Sequence, residues 1–317
     1  MIPARVAFGS LTAFAHRALR AFGLERAPAS GEGDPQAAEA VRRAEAARAA
    51  GRAEEARTLF RYVVQRWPAN AGALHALRDL AVEARDWDDA IAVQQSLLDL
   101  APSRERHAEA EWLAVGYYEL GRLELARGEA VAAVGHFRAA LRADRDFVPA
   151  SVALGDALEA AGDAREATRT WERAAETHPV LPLLARLERA YREQDRPSRM
   201  IALYREAAER APDDLAIGAA LGRVYFELEM LDEAADQFEK LEVRAPDLPA
   251  VHAFLGAVFE RRGDTREAFE EYRRALRLGH GFDWPHRCTA CGAAAPRWQD
   301  RCDGCRRWNT LRPAPAR

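Results

Sequence analysis

All four cysteines of this 317-residue chain lie within its last 30 residues, as Cys288-x2-Cys291-x10-Cys302-x2-Cys305. Two cysteines spaced this way set two thiolates on one tight turn. Two such turns facing each other complete a tetrahedral sulfur cage, with metal–sulfur distances of about 2.3 Å. Two disulfides are the competing use of four cysteines. The sequence shows no cleavable signal peptide to direct it to an oxidising compartment, so a metal knuckle is expected. Four thiolates leave no open position for water or substrate, which makes zinc in such a cage structural. Iron in the same cage would carry an electron. Gly292, directly after the first pair, lets backbone N–H groups approach the sulfurs. Trp298 and Trp308 flank the second pair, where they are expected to form a hydrophobic platform for a domain too small to build its own core.

The elements that must hold this knuckle repeat themselves. A small or apolar residue, a large residue four places on and a proline about eight further recur: Ala56/Phe60/Pro68, Ala90/Gln94/Pro102, Ala167/Trp171/Pro179, Met200/Tyr204/Pro212 and Ala234/Phe238/Pro246. Ala133/Phe137 and Ala268/Tyr272 follow the rule without the proline. Upstream of several stands Leu-Gly: Leu120-Gly121, Leu154-Gly155, Leu221-Gly222 and Leu255-Gly256. Starting points near 37, 71, 114, 148, 181, 215 and 249 give intervals mostly of 33–34 residues, the tetratricopeptide pattern in seven copies. Glycine lets the two helices of a pair approach closely, and proline ends the second helix. The 43-residue interval from 71 to 114 carries an insertion around Ser103–Glu111, read as a helix extension or longer turn. The fold class is therefore all-α, a tetratricopeptide superhelical solenoid with a small C-terminal four-cysteine rubredoxin-like or zinc-ribbon knuckle. Its expected domains are a basic amphipathic helix over 1–26, a linker over 27–36, repeats over 37–282, the knuckle over 283–312 and a disordered tail over 313–317.

A stack of helix pairs presents a groove lined by its first helices, the usual ligand surface of repeat proteins. Tyr118, Arg122, Asp156, Glu159, Arg189, Arg192, Arg223 and Glu227 are expected to face it. They make a polar groove of mixed charge, suited to a peptide or protein segment. The eight histidines are scattered, with no partner nucleophile and no metal-ligand spacing, and no phosphate-binding glycine loop occurs. His280 and His286 are read as linker residues beside a cage already saturated by cysteine. Nothing points to an enzyme.

Charge narrows the partners. The net charge is −4 and the pI about 6.1, which gives no overall reason to expect nucleic acid. Residues 283–317 hold seven Arg against three Asp. Nucleic-acid binding through Arg297, Arg301, Arg306 and Arg307 is the alternative function, disfavoured by the acidic body beside them. No segment reaches the roughly 20 apolar residues that span a bilayer. In residues 1–25, Phe8, Leu11, Ala15, Leu19 and Phe22 recur at helical spacing beside Arg5, Arg17 and Arg20. Such a basic amphipathic helix is suited to weak contact with a membrane surface.

Tetratricopeptide repeats running into HRCTACG and RCDGCRRWNTLRP closely resemble the lipopolysaccharide assembly protein B family of Gram-negative bacteria, over about residues 37–312. The resemblance implies an adaptor that couples a lipid A biosynthetic enzyme, the deacetylase, to a membrane-bound ATP-dependent protease. It implies a metal domain docked on the repeats, with Cys288, Cys291, Cys302 and Cys305 as ligands of zinc or iron. The expected location is cytoplasmic, peripheral on the inner face of the inner membrane. Members of that family carry a spanning N-terminal anchor, whereas residues 1–25 here are too polar to span. The knuckle alone is also similar to the zinc finger of the RadA/Sms branch-migration proteins, in Pro296–Gln299 and Trp308–Thr310, but their P-loop is absent here.

Overall fold

The computed structural model describes residues 30–278 and 286–314. The expected amphipathic helix over 1–26, the first residues of the linker, His280 and residues 315–317 lie outside the described residues. The chain forms two compact units that divide at Gly116 and Tyr117. The first contains α1 (Pro35–Ala49), α2 (Ala53–Arg66), α3 (Ala71–Ala84), α4 (Trp87–Leu100) and the start of α5 (Arg106–Ala126). The second contains the rest of α5, then α6 (Ala130–Ala143), α7 (Val148–Ala160), α8 (Ala164–Thr177), α9 (Leu181–Glu193), α10 (Pro197–Arg210), α11 (Leu215–Glu227), α12 (Leu231–Arg244), α13 (Pro249–Arg262) and α14 (Thr265–Leu278). Three short strands follow: β1 (His286–Cys288), β2 (Ala294–Ala295) and β3 (Leu311–Pro313).

Consecutive helices pair as tetratricopeptide hairpins, and each hairpin packs on the next within its unit. Helix starts follow the local chemistry. Asp34, Asn70, Asp86, Asp163 and Asp214 accept hydrogen bonds from first-turn N–H groups, and proline stands in the first turn of α1, α7, α9, α10 and α13. Pro68, Pro102, Pro179, Pro212 and Pro246 fall just beyond the ends of α2, α4, α8, α10 and α12. The insertion lengthens α5 to 21 residues from its N-terminal side.

One rule organises every hairpin: position i of the first helix meets position i+16 of the second. A Cβ built on Gly121, Gly155, Gly222 or Gly256 would lie within 2.7 Å of Phe137, Trp171, Phe238 or Tyr272 respectively. The aromatic ring occupies the space that a side chain on the first helix would need. Where glycine is missing, the pair is polar or small. The Tyr204 hydroxyl donates to Glu188 at 2.6 Å, Arg78 reaches Gln94 at 3.5 Å, and Ala44 lies with Phe60 in one core cluster.

Candidate metal centre and its seat on the repeats

The knuckle is a three-stranded antiparallel sheet in the order β2-β1-β3 with two cysteine turns. Each turn has the same hydrogen-bond frame. Gly292 N–H donates to Cys288 O, and Cys288 N–H to Ala293 O; Arg306 N–H donates to Cys302 O, and Cys302 N–H to Arg307 O, all at 2.9 Å. Both frames need a left-handed residue after the second cysteine. Gly292 supplies it at φ 75°, while Arg306 adopts φ 61° at the cost of a side chain in that region.

The turns bring all four Sγ atoms within 4.8 Å of one another. Cys288–Cys305 and Cys291–Cys302 are each 3.7 Å apart. A tetrahedron with 2.3 Å metal–sulfur bonds has edges of about 3.8 Å, so the donor set fits a four-thiolate ion without rearrangement. Thr310 Oγ1 lies 3.2 Å from Cys288 Sγ and, as the main cause, brings that thiol down to about 6. At Cys291 the Ala293 N–H favours the thiolate, but desolvation and the neighbouring sulfurs of Cys305, Cys288 and Cys302 prevail and push it up to about 11. A cation within the cage would offset that crowding.

Trp298 packs with Cys288, Ala295, Cys302 and Leu311 in a small core of the knuckle's own. Trp308 does something else. It meets Tyr118 of α5 edge-on, with ring centroids 5.6 Å apart, and lies under Arg301 at 5.2 Å. The Tyr118 hydroxyl donates to Asp300 at 2.8 Å, Arg122 sits 3.3 Å from the same carboxylate oxygen, and Asn309 Nδ2 donates to Asp146 O at 3.3 Å. Burial, with Asp300 alongside, pushes the Tyr118 hydroxyl well above its usual range, so it stays protonated as a donor. His286 is a buried β1 residue rather than a linker residue. It acts electrostatically on Asp214, whose carboxyl burial raises.

The remaining predicted groove residues come together, chiefly with one another. Asp156 of α7 pairs with Arg186 of α9 at 2.5 Å, and Glu159 with Arg189 at 2.6 Å. One hairpin on, Glu188 of α9 accepts from Arg223 of α11 at 2.6 Å, while Arg192 bridges Glu188 and Glu227. Burial opposes ionisation of Glu188, yet hydrogen bonds from Arg223, Tyr204 and Arg192 bring its carboxyl down to about 2. Asp156, Glu159, Arg189, Arg192, Arg223 and Glu227 thus form ladders between successive first helices, and Tyr118 and Arg122 face the knuckle. Arg186 and Glu188 are ladder members that spacing alone missed. They recur 30 and 35 residues from their partners, the only signal available.

Glu242, His252 and Glu271 also cluster within metal-ligand reach. Both ring nitrogens of buried His252 are engaged, Nδ1 with Glu271 at 2.6 Å and Nε2 with Pro246 O at 2.7 Å, and Arg274 neutralises Glu242 at 2.6 Å. Each ring nitrogen already has a hydrogen-bond partner within the fold, and the cluster ties α14 to the α12–α13 turn.

The fold and site define a tetratricopeptide-repeat protein with a C-terminal metal-binding domain. Family models agree. The zinc ribbon of the lipopolysaccharide assembly protein B type, described as a rubredoxin metal binding domain, matches residues 286–313, and tetratricopeptide repeat models match residues 41–105 and 191–258. The chain therefore has the architecture of the lipopolysaccharide assembly protein B family. No curated protein matches it. Among solved structures it is similar to YrrB, described as a TPR protein with an unusual peptide-binding site, at 20% identity and TM-score 0.38 over 52% of this chain and 86% of that one. It is also similar to MamA from Desulfovibrio magneticus RS-1, at 20% identity and TM-score 0.39 over 52% and 94% of the two chains. Among the described residues no helix is long and apolar enough to cross a membrane.

Proposed function

We propose that this protein is a non-enzymatic adaptor that regulates lipopolysaccharide synthesis by bringing a lipid A biosynthetic enzyme to a membrane ATP-dependent protease. The observation that carries the reading is the rubredoxin-type knuckle of the lipopolysaccharide assembly protein B type following tetratricopeptide repeats in one chain. Repeats of this kind are protein-interaction scaffolds, and a four-thiolate cage is built to fix structure rather than to open a coordination site. Zinc is the metal of this reading, held by Cys288, Cys291, Cys302 and Cys305. The site is at the inner face of the inner membrane, reached through residues 1–25. Affinity capture of the full chain from native membranes tests the proposal. A membrane ATP-dependent protease and a lipid A enzyme should be recovered, and deletion of the gene should raise the level of that enzyme. Recovery of neither protein, with unchanged enzyme levels, refutes it.

A further inference from the structure

The furrow between α8 and α10, floored by α9, lies on a different side of α9 from the ion-pair ladder. Leu184 and Tyr191, seven residues apart, face the furrow, while Arg186 and Arg189 turn away toward α7. One end is a cavity of about 480 Å³ lined by Arg165 and Arg169 of α8, and by Arg196 and Arg199 around the start of α10. A single carboxylate, Glu172, shares this lining, and it is already held by the Tyr191 hydroxyl at 2.7 Å with Arg199 at 3.6 Å. Arg169 reaches Glu166 only at 3.9 Å and is 70% exposed. Four guanidinium groups against one committed carboxylate invert the charge of a chain whose net balance is −4. Past Glu172, Tyr191 and Arg199 the furrow continues into a cavity of about 310 Å³. Buried Leu184, Ala175 and Ala207 lie beneath it and Leu203 stands at its wall, while Glu176, Glu206 and Arg210 also line it.

The basic cavity selects an occupant of opposite charge, and the carboxylates of Glu176 and Glu206 in the adjoining cavity confine that charge to the arginine end. We propose that this furrow binds a short acidic segment of a partner protein, with carboxylates among Arg165, Arg169, Arg196 and Arg199 and an uncharged neighbouring residue beside Leu203. The inference rests on the adaptor reading and adds the chemistry of the bound segment. Guanidinium groups present planar forks that match carboxylates, and clustering offsets the weakness of each exposed pair. Asp163, Glu193 and Asp195 are exposed sequence neighbours of the lining residues, and carboxylates there oppose the approach of a flat anionic membrane.

The test is selection of random 12-residue peptides on the full-length, metal-loaded protein, followed by fluorescence polarisation of the selected peptides. Peptides with clustered Asp or Glu beside uncharged residues are expected. Affinity should fall at least tenfold in Arg165→Glu/Arg199→Glu, stay within twofold in the ladder variant Arg189→Glu, and weaken with salt. Circular dichroism verifies that the exposed substitutions leave the fold intact. Peptides lacking acids, or binding indifferent to the double charge reversal, overturn the furrow proposal and leave the adaptor reading standing. Failure to select any peptide also overturns it. If, in addition, only phosphatidylglycerol vesicles bind and membrane capture recovers no protein, the adaptor reading falls too.

Discussion

Replacing Gly155 with alanine would place one methyl group of α7 1.9 Å from Trp171 Nε1 and 2.2 Å from its Cε2. Unstrained heavy-atom contacts lie near 3.5 Å, so the indole must retreat by roughly 1.5 Å. It has nowhere to go. Trp171 is 1% exposed, and its Nε1–H donates to Val152 O at 3.2 Å. Overpacking of this kind costs about 1–3 kcal/mol, and loss of the indole hydrogen bond costs about 1 kcal/mol. Alanine regains about 1 kcal/mol over glycine through helix propensity. The net expectation is a loss of about 2 kcal/mol. Gly135 of α6 is the control, because a Cβ there would meet nothing within 4 Å. Gly135→Ala should stabilise the protein by about 0.5–1 kcal/mol. The same chemical change thus carries opposite signs at two helical positions. Urea denaturation followed by far-ultraviolet circular dichroism separates them, with transition slopes compared because repeat arrays can lose cooperativity. A Gly155→Ala/Trp171→Leu double variant should show a coupling of at least about 1 kcal/mol. Gly155→Ala at or above wild-type stability would refute the packing rule.

Three further outcomes follow from the site. Cys302→Ser should abolish stoichiometric metal by elemental analysis and make residues 286–314 sensitive to protease, while most helical signal persists. Asp300→Ala removes the acceptor shared by Tyr118 and Arg122, so amide exchange across the knuckle should accelerate while its metal content stays unchanged. Glu188 titrates at about 2, below its ordinary value; its contribution is therefore complete above the unfolded value of about 4.3 and lost as pH falls toward 2. Urea midpoints measured between pH 5 and pH 2.5 should fall less steeply in Glu188→Gln than in wild type.

Much of this fold was legible because its constraints are local and periodic. Small residues, large residues and prolines mark each hairpin at fixed intervals, and first helices begin at Ala71, Val148, Leu181, Leu215 and Pro249. The cysteine cage was legible for the same reason, since two turns and four identical donors leave one sensible arrangement. What spacing could not supply was the partner of each polar side chain. Asp156 and Arg186 stand 30 residues apart and Glu188 and Arg223 stand 35 apart, so their pairing depends on how successive hairpins align. A helix-face residue that reads as free for a ligand is equally able to meet a charge on the next repeat. Trp308 is similar. Its place across the second cysteine pair from Trp298 suggested a shared hydrophobic platform, but Trp298 packs in the knuckle's core while Trp308 meets Tyr118.

The second cysteine turn meets α5 and the turn before α7, and its backbone explains why. Asn309 N–H donates to Asp300 O at 2.8 Å, and Arg301 pairs with Trp308 in an antiparallel bridge, so the residues flanking Cys302 and Cys305 form one closed loop. Asp300 and Trp308 reach Tyr118 from this loop, and Asn309 reaches the turn before α7. None of these contacts uses a cysteine, yet all lie on the turn whose two thiolates an ion in the cage would hold in place. The left-handed Arg306 makes the point from the other side. A side chain in that conformation costs about 1 kcal/mol, and the hydrogen-bond frame around Cys302 is what holds it there. Losing the ion should therefore loosen Asp300, Trp308 and Asn309 together rather than one at a time, and Tyr118 and Arg122 would become accessible in the same step.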